Sequence, residues 1–166
     1  MADFSFDIVS EFDKAEMNNV FDQAQREINN RYDFKSANVV LEWLDSDKSG
    51  IKITGENQYH LDAIVDIFRK KLSLRKQSVK TLDLEANKPE ASNFKISWKV
   101  PFKNGLNQEK AKAMTQLIRE SFPKIKTQIQ GDAVRVTSTK KDDLQLVMSL
   151  IRSKDFDYPV SFNNFR

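Results

Sequence analysis

Lys124–Arg152, KIKTQIQGDAVRVTSTKKDDLQLVMSLIR, is the stretch whose reading decides the fold. Ile125, Thr127 and Ile129 alternate with Lys126, Gln128 and Gln130, the period-two pattern of a strand with one buried face. Gly131-Asp132 is a two-residue link of the kind that closes a β-hairpin. Val134 and Val136 then alternate with Arg135 and Thr137. Past the polar run Ser138–Lys141 the apolar spacing changes to Leu144, Val147, Met148 and Ile151, one face of a helix. Thr139 with Asp142 resembles a capping box, with Asp in place of the usual Glu or Gln. The stretch reads strand, tight turn, strand, helix.

The second strand and the helix have a counterpart 83 positions earlier. Ile51-Lys52-Ile53-Thr54 aligns with Val134-Arg135-Val136-Thr137, and Leu61, Ile64, Val65 and Phe68 align with Leu144, Val147, Met148 and Ile151. No gap is needed. Two different periods matching in one order point to an internal duplication, and two copies suit two similar small domains better than a solenoid.

Working outward, Phe4–Ser10 reads as a first strand. Asp13 caps a helix with Glu16 three residues on, and Met17, Val20, Phe21, Ala24 and Ile28 form its apolar stripe. Ser36–Leu44 is a second strand and Ile51–Thr54 a third. Asn57 caps a second helix running to about Leu74, and Ser78–Leu84 is a fourth strand. Phe94, Ile96, Trp98 and Val100 alternate with Lys95, Ser97 and Lys99. Asn107 caps a helix that stops by Pro123, and Val160–Phe162 is a last short strand. The expected architecture is α+β: two ferredoxin-like β-α-β-β-α-β sandwiches. The expected domains are residues 1–88 and 94–166, with a linker at 85–93.

The 166 residues contain no cysteine, which excludes a disulfide framework, a thiolate nucleophile and a Cys-based metal site. A start without a basic, apolar leader and the lack of a long apolar run give a cytoplasmic location as the expectation. The net charge of +3 is unevenly distributed. Residues 1–92 carry 13 Lys/Arg and 17 Asp/Glu, while residues 93–166 carry 14 and 7. A basic half suits either an anionic partner or a merely solvated surface.

Six stretches resemble the YajQ family of small bacterial cytoplasmic proteins. They are Phe6-Asp7-Ile8-Val9-Ser10-Glu11, Arg31-Tyr32-Asp33-Phe34-Lys35, Gln128-Ile129-Gln130-Gly131-Asp132, Arg135-Val136-Thr137, Lys141-Asp142-Asp143-Leu144-Gln145 and Asn164-Phe165-Arg166. Their order makes the signal specific. The resemblance implies a tandem ferredoxin-like duplication whose domains exchange first strands, so that Phe4–Ser10 pairs in the second domain and Phe94–Pro101 in the first. It also implies nucleotide binding, with cyclic diguanylate as one ligand and RNA or mononucleotides as others. The chain departs from the family at Lys103-Asn104-Gly105-Leu106, at Ser138 and in a linker without glycine.

No catalytic, metal or cofactor constellation is legible. His60 reads as a polar residue in a first helical turn, and Asp142-Asp143 as charges favoured at a helix start. The four glycines are isolated, so no phosphate-cradling loop is present. If Ile125, Ile129, Phe94, Trp98, Val134 and Val136 face the helices, then Lys95, Lys99, Lys126, Gln128, Gln130 and Arg135 share the opposite face. Such side chains hold phosphates and base edges, and they also suit packing against the other domain. The outward positions of the central strands carry no aromatic, which argues against a standard RRM. Arg69–Lys80 carries six Lys/Arg and no acid, suited to a helix end or to phosphate. Arg31 and Lys35 either pair with Asp33 or touch a ligand. The candidate nucleotide- or phosphate-binding residues are therefore Lys95, Lys99, Lys126, Gln128, Gln130, Arg135, Arg31 and Lys35. The expected function is a non-catalytic nucleotide- or RNA-binding protein using the basic sheet face and interdomain region. The alternative is a regulatory adaptor that docks on a protein partner.

Overall fold

The computed structural model describes residues 3–166, which contain two four-stranded antiparallel sheets and four long helices. The chain divides into two compact units, Met1–Glu11 with Asn104–Arg166 and Phe12–Lys103. Each is compatible with a ferredoxin-like α+β half. No helix among the described residues is long and apolar enough to cross a membrane.

In the first unit, β1 (Phe4–Val9) lies between β7 (Ala133–Ser138) and β8 (Ser161–Asn163), and β6 (Lys126–Gln130) is the outer neighbour of β7. Phe6 and Ile8 bury completely beside Val134 and Val136, under α3 (Gln108–Ser121) and α4 (Lys141–Ser153). The apolar alternation of β1 creates this layer, because successive strand side chains point to opposite faces. Met114, Ile118, Leu144, Val147 and Ile151 close it from the helix side. The β6–β7 link is the two-residue turn that its sequence predicts, since Gln130 pairs with Ala133. Gly131 has φ +60 and Asp132 a negative φ, the pattern of a type II′ hairpin. The N-cap of α4 differs from the expected Thr139 box: Lys140 is the cap residue, without a side-chain capping bond, and Ser138 Oγ accepts from the Lys140 N–H and donates to Asp143.

The second unit has the strand order β2 (Val40–Trp43), β3 (Gly50–Gly55), β5 (Lys95–Pro101), β4 (Glu90–Ser92). Two helices complete it, α1 (Lys14–Asn30) and α2 (Gln58–Leu74). Asp13 accepts the Glu16 N–H at 3.2 Å and Asn57 accepts the His60 N–H at 3.0 Å, so both side chains predicted as caps do cap. Met17, Val20, Ala24 and Ile28 of α1 and Leu61, Ile64, Phe68 and Leu72 of α2 bury against Ile51, Ile53 and Val100. Phe21 stacks on Trp43 with ring centres 4.2 Å apart.

Three expectations need correction. Ser78–Leu84 is not a strand: Ser78 Oγ accepts the Lys80 N–H, winding Val79–Thr81 into a 3-10 turn. Only Leu82 retains a bridge, to Phe102. The fourth strand of that sheet is Glu90–Ser92, inside the stretch expected to be the linker, where it forms a hairpin with β5. Phe94, which the alternation of its strand turns toward the helices, sits instead at that hairpin's tip, 98% exposed.

Candidate nucleotide site

On the outward face of the first unit's sheet, the register sets Lys126 opposite Thr137, Gln128 opposite Arg135 and Gln130 opposite Ala133. Arg135 also faces Asp7 across the next strand. The Arg135 Nε donates to Asp7 Oδ1 at 3.0 Å, and Asn164 Nδ2 donates to Asp7 Oδ2 at 2.9 Å. The Arg135 hydrogen bond outweighs the opposing effect of burial and, with Asn164, holds the Asp7 carboxyl below its ordinary value; the same pairing raises Arg135. Arg135 is thus already engaged.

Lys126 is not engaged in an ion pair among the described residues, and neither is Arg119 from the end of α3. Both line a concavity of about 460 Å³ with Thr127, Gln128, Arg135, Thr137, Pro123 and Ile125. A volume of this order is typical of small-molecule sites. Two unpaired cations, two hydroxyls and an amide are the donors an anionic, hydrogen-bonding ligand requires. Gln130 bonds Gln128 at 3.3 Å and does not line the concavity.

The shared face of six residues does not form. Lys95 and Lys99 lie on β5, opposite Ser92 and Lys52 in the other unit. Pairing between strands places them there, and no strand's own alternation encodes its neighbour. Arg31 and Lys35 are also in that second unit. Arg31 Nε bonds Asp33 at 2.8 Å and its guanidinium lies 4.9 Å from the Phe34 ring centre, while Lys35 lies 5.9 Å from that of Tyr32. The eight candidates therefore divide four and four between the units.

The charge asymmetry follows the same correction. The first unit carries 11 Lys/Arg and 10 Asp/Glu and the second 16 and 14, so neither is strongly basic. Strand β1 lies in the sheet that holds most of the basic half, while Lys95, Lys99 and Lys103 fall in the other unit. Part of the Arg69–Lys80 cluster is structural, since Lys71 pairs with Glu27 at 3.0 Å and Arg75 grips Glu16 through two bonds of 2.8 and 3.0 Å. His60 is buried, with Nδ1 accepting the Glu56 N–H at 3.0 Å. Arg119, Lys52 and Lys88 escape a reading of the sequence, because a single cation on a helix, strand or loop carries no motif.

A family model described as "Nucleotide-binding protein YajQ-like" matches residues 4–166. The chain belongs to the YajQ family. Proteins from Nocardioides sp. and Mycobacterium tuberculosis, both named "Nucleotide-binding protein", are each 41% identical to it over the full length of both chains. One of the same name from Trichodesmium erythraeum is 43% identical over 98% of this YajQ-family chain and 97% of its own. The residues that carried the resemblance are dispersed in this YajQ-family structure. Lys141, Leu144, Gln145, Phe165 and Arg166 meet with Phe4 at a cleft of about 210 Å³, while Arg31–Lys35 lies in the other unit.

Proposed function

We propose that this chain is a non-catalytic nucleotide-binding protein whose ligand phosphate docks in the concavity beside β6. The observation that carries the reading is the pair of unpaired cations, Arg119 and Lys126, set around hydroxyl and amide donors in a space of ligand size. The relatives' name, nucleotide-binding protein, supports the ligand class. A guanidinium binds phosphate in bidentate fashion and an ammonium as a point charge. Thr127, Thr137 and Gln128 add directional donors that distinguish a ligand's edges. A cyclic dinucleotide and a short RNA are the two ligand classes that combine phosphate with such edges.

We also infer that the two halves descend from one duplicated unit whose first strands changed places. The orders β6-β7-β1-β8 and β2-β3-β5-β4 become the same order when β1 and β5 each fill the first-strand position of the other half. The ungapped alignment of Ile51–Arg69 on Val134–Arg152 supports the same reading.

Calorimetric titration of nuclease-treated protein with cyclic diguanylate, GTP and a short RNA tests the function. Saturable binding that weakens in Arg119→Ala and Lys126→Ala is the expected result. Flat traces for all three would sink it and move attention to a protein partner. Equal loss with salt for every polyanion would reduce it to nonspecific attraction.

A further inference from the structure

The β4–β5 hairpin of the second unit carries an unusual tip. Ser92 pairs with Lys95, so Asn93 and Phe94 form a two-residue turn, with φ +45 and +66. Positive φ at both positions defines a type I′ turn, which favours Asn-Gly. A phenylalanine there is strained, and this one is 98% exposed. Nothing in the fold rewards a bulky aromatic at that point. Strain of this kind is held where a site uses it.

The strand behind the tip is a track of cations. Lys95, Ser97 and Lys99 share the outward face of β5, and Lys99 lies directly opposite Lys52 on β3. Like charges directly opposite destabilise a sheet. Neither ammonium has an ion-pair partner among the described residues, although Glu42 faces Lys52 from β2. Lys88 joins them around a concavity of about 320 Å³ lined also by Asn87, Ser92 and Ser97, with Glu90 its one acid. The loop bearing Lys88 is fixed to β5. Asn87 Nδ2 donates to the Lys99 carbonyl at 3.1 Å, and Trp98 Nε1 donates to the Asn87 carbonyl at 2.9 Å.

We propose that this hairpin face binds single-stranded nucleic acid: Lys52, Lys88 and Lys99 hold backbone phosphates and Phe94 stacks a base. Lys99 and Phe94 are five positions apart, roughly 17 Å along a strand. That is several times the rise of roughly 3.4 Å per nucleotide along one strand of a helix, which favours an oligomer over a mononucleotide. Lysine tracks with exposed aromatics bind unpaired strands because every base has a stacking face, whereas a duplex hides its bases. The site extends nucleotide recognition to the second unit and does not use the concavity beside β6.

Fluorescence anisotropy of a labelled ten-nucleotide oligouridylate tests it, with a duplex of the same length as the comparison. Phe94→Gly replaces the strained turn by Asn-Gly, so loss of folding does not explain loss of binding. It is expected to weaken the single strand by at least ~5-fold, the low end of the cost of removing one stacked base. Lys52→Gln with Lys99→Gln is expected to lower the salt slope by ~0.7 for each phosphate left without its lysine. The effect of Phe94→Gly should keep its size in a Lys126→Ala background. An oligomer that does not bind, wild-type affinity in Phe94→Gly, or equal affinity for the duplex would each overturn the proposal. Failure of cyclic diguanylate, GTP and the short RNA alike to bind through Arg119 and Lys126 would remove the proposed function and leave this site standing.

Discussion

Asp7 and Arg135 are 128 positions apart in sequence and face each other on adjacent strands, joined Nε to Oδ1 at 3.0 Å and Nη2 to Oδ2 at 3.5 Å. The pair bridges β1 to β7 on the outward face of the sheet. A guanidinium held in this way is first a structural cross-link. Arg135→Ala leaves the largely covered Asp7 carboxylate with Asn164 alone, and unmaking a bond to a charged group costs more than forming it gains. The expected result is a lower urea midpoint with an unchanged m-value, and a smaller loss of nucleotide affinity than in Lys126→Ala. Equal stability of Arg135→Ala and wild type would show that the pair contributes nothing.

The same pair makes stability pH-dependent. Its hydrogen bond from Arg135, assisted by Asn164, holds Asp7 below the ordinary 3.8 of an aspartate. A carboxyl depressed on folding stabilises at neutral pH, and that contribution is lost as pH falls below about 4 through the folded value. Asp7→Asn removes it. The variant should therefore be less stable than wild type near pH 7, and the difference in urea midpoints should narrow near pH 3. A difference that stays constant with pH would place the effect elsewhere.

Strand placement has its own test in Phe6→Ala. Phe6 is fully buried in the first unit, although the sequence that follows it builds the second. Truncating a buried phenylalanine costs about 3–5 kcal/mol. Hydrogen exchange should quicken in α3 and α4, with α1 and α2 less affected. Ile53→Ala, in the other core, should give the reverse pattern. Deprotection of α1 and α2 by Phe6→Ala would contradict the β1–β7 pairing.

Phe94→Gly should stabilise the protein. A left-handed conformation costs a non-glycine residue about 1–2 kcal/mol, and Asn-Gly is the favoured pair for this turn. The extra freedom of glycine in the unfolded chain offsets part of the gain. An increase of about 1 kcal/mol, several degrees in thermal midpoint, is expected. A lower midpoint would mean that the ring at residue 94 contributes packing that its exposure conceals.

Much of the fold is written in local patterns. Asp13, Asn57 and Asn107 lie where their side chains accept from helix N–H groups, and each marks a helix start correctly. Gly131 states its turn because only one or two residue types take that conformation cheaply. The apolar stripes read for α2 and α4 appear buried in the cores, as does that of α1 except for the partly buried Phe21. Where a signal had local competition the reading failed: Ser78–Leu84 has strand-like alternation, but the Ser78 hydroxyl bonds its own backbone and winds a turn.

The sequence by itself determined the four helices, most of the strands with the faces they bury, and the family, because these depend on residue type and spacing within one segment; Ser78–Leu84, Glu90–Ser92 and Phe94 are the exceptions. Which strands are neighbours was implied only by the family resemblance, and the tertiary structure decided it. A strand's alternation selects a buried face but leaves the identity of the flanking strands open. That pairing moved Lys95 and Lys99 away from Lys126, set Asp7 against Arg135, and levelled the charge of the two units. The candidate site is legible only after pairing, since Arg119 and Lys126 become a pair of unneutralised cations through where the fold puts them and where it puts no acid.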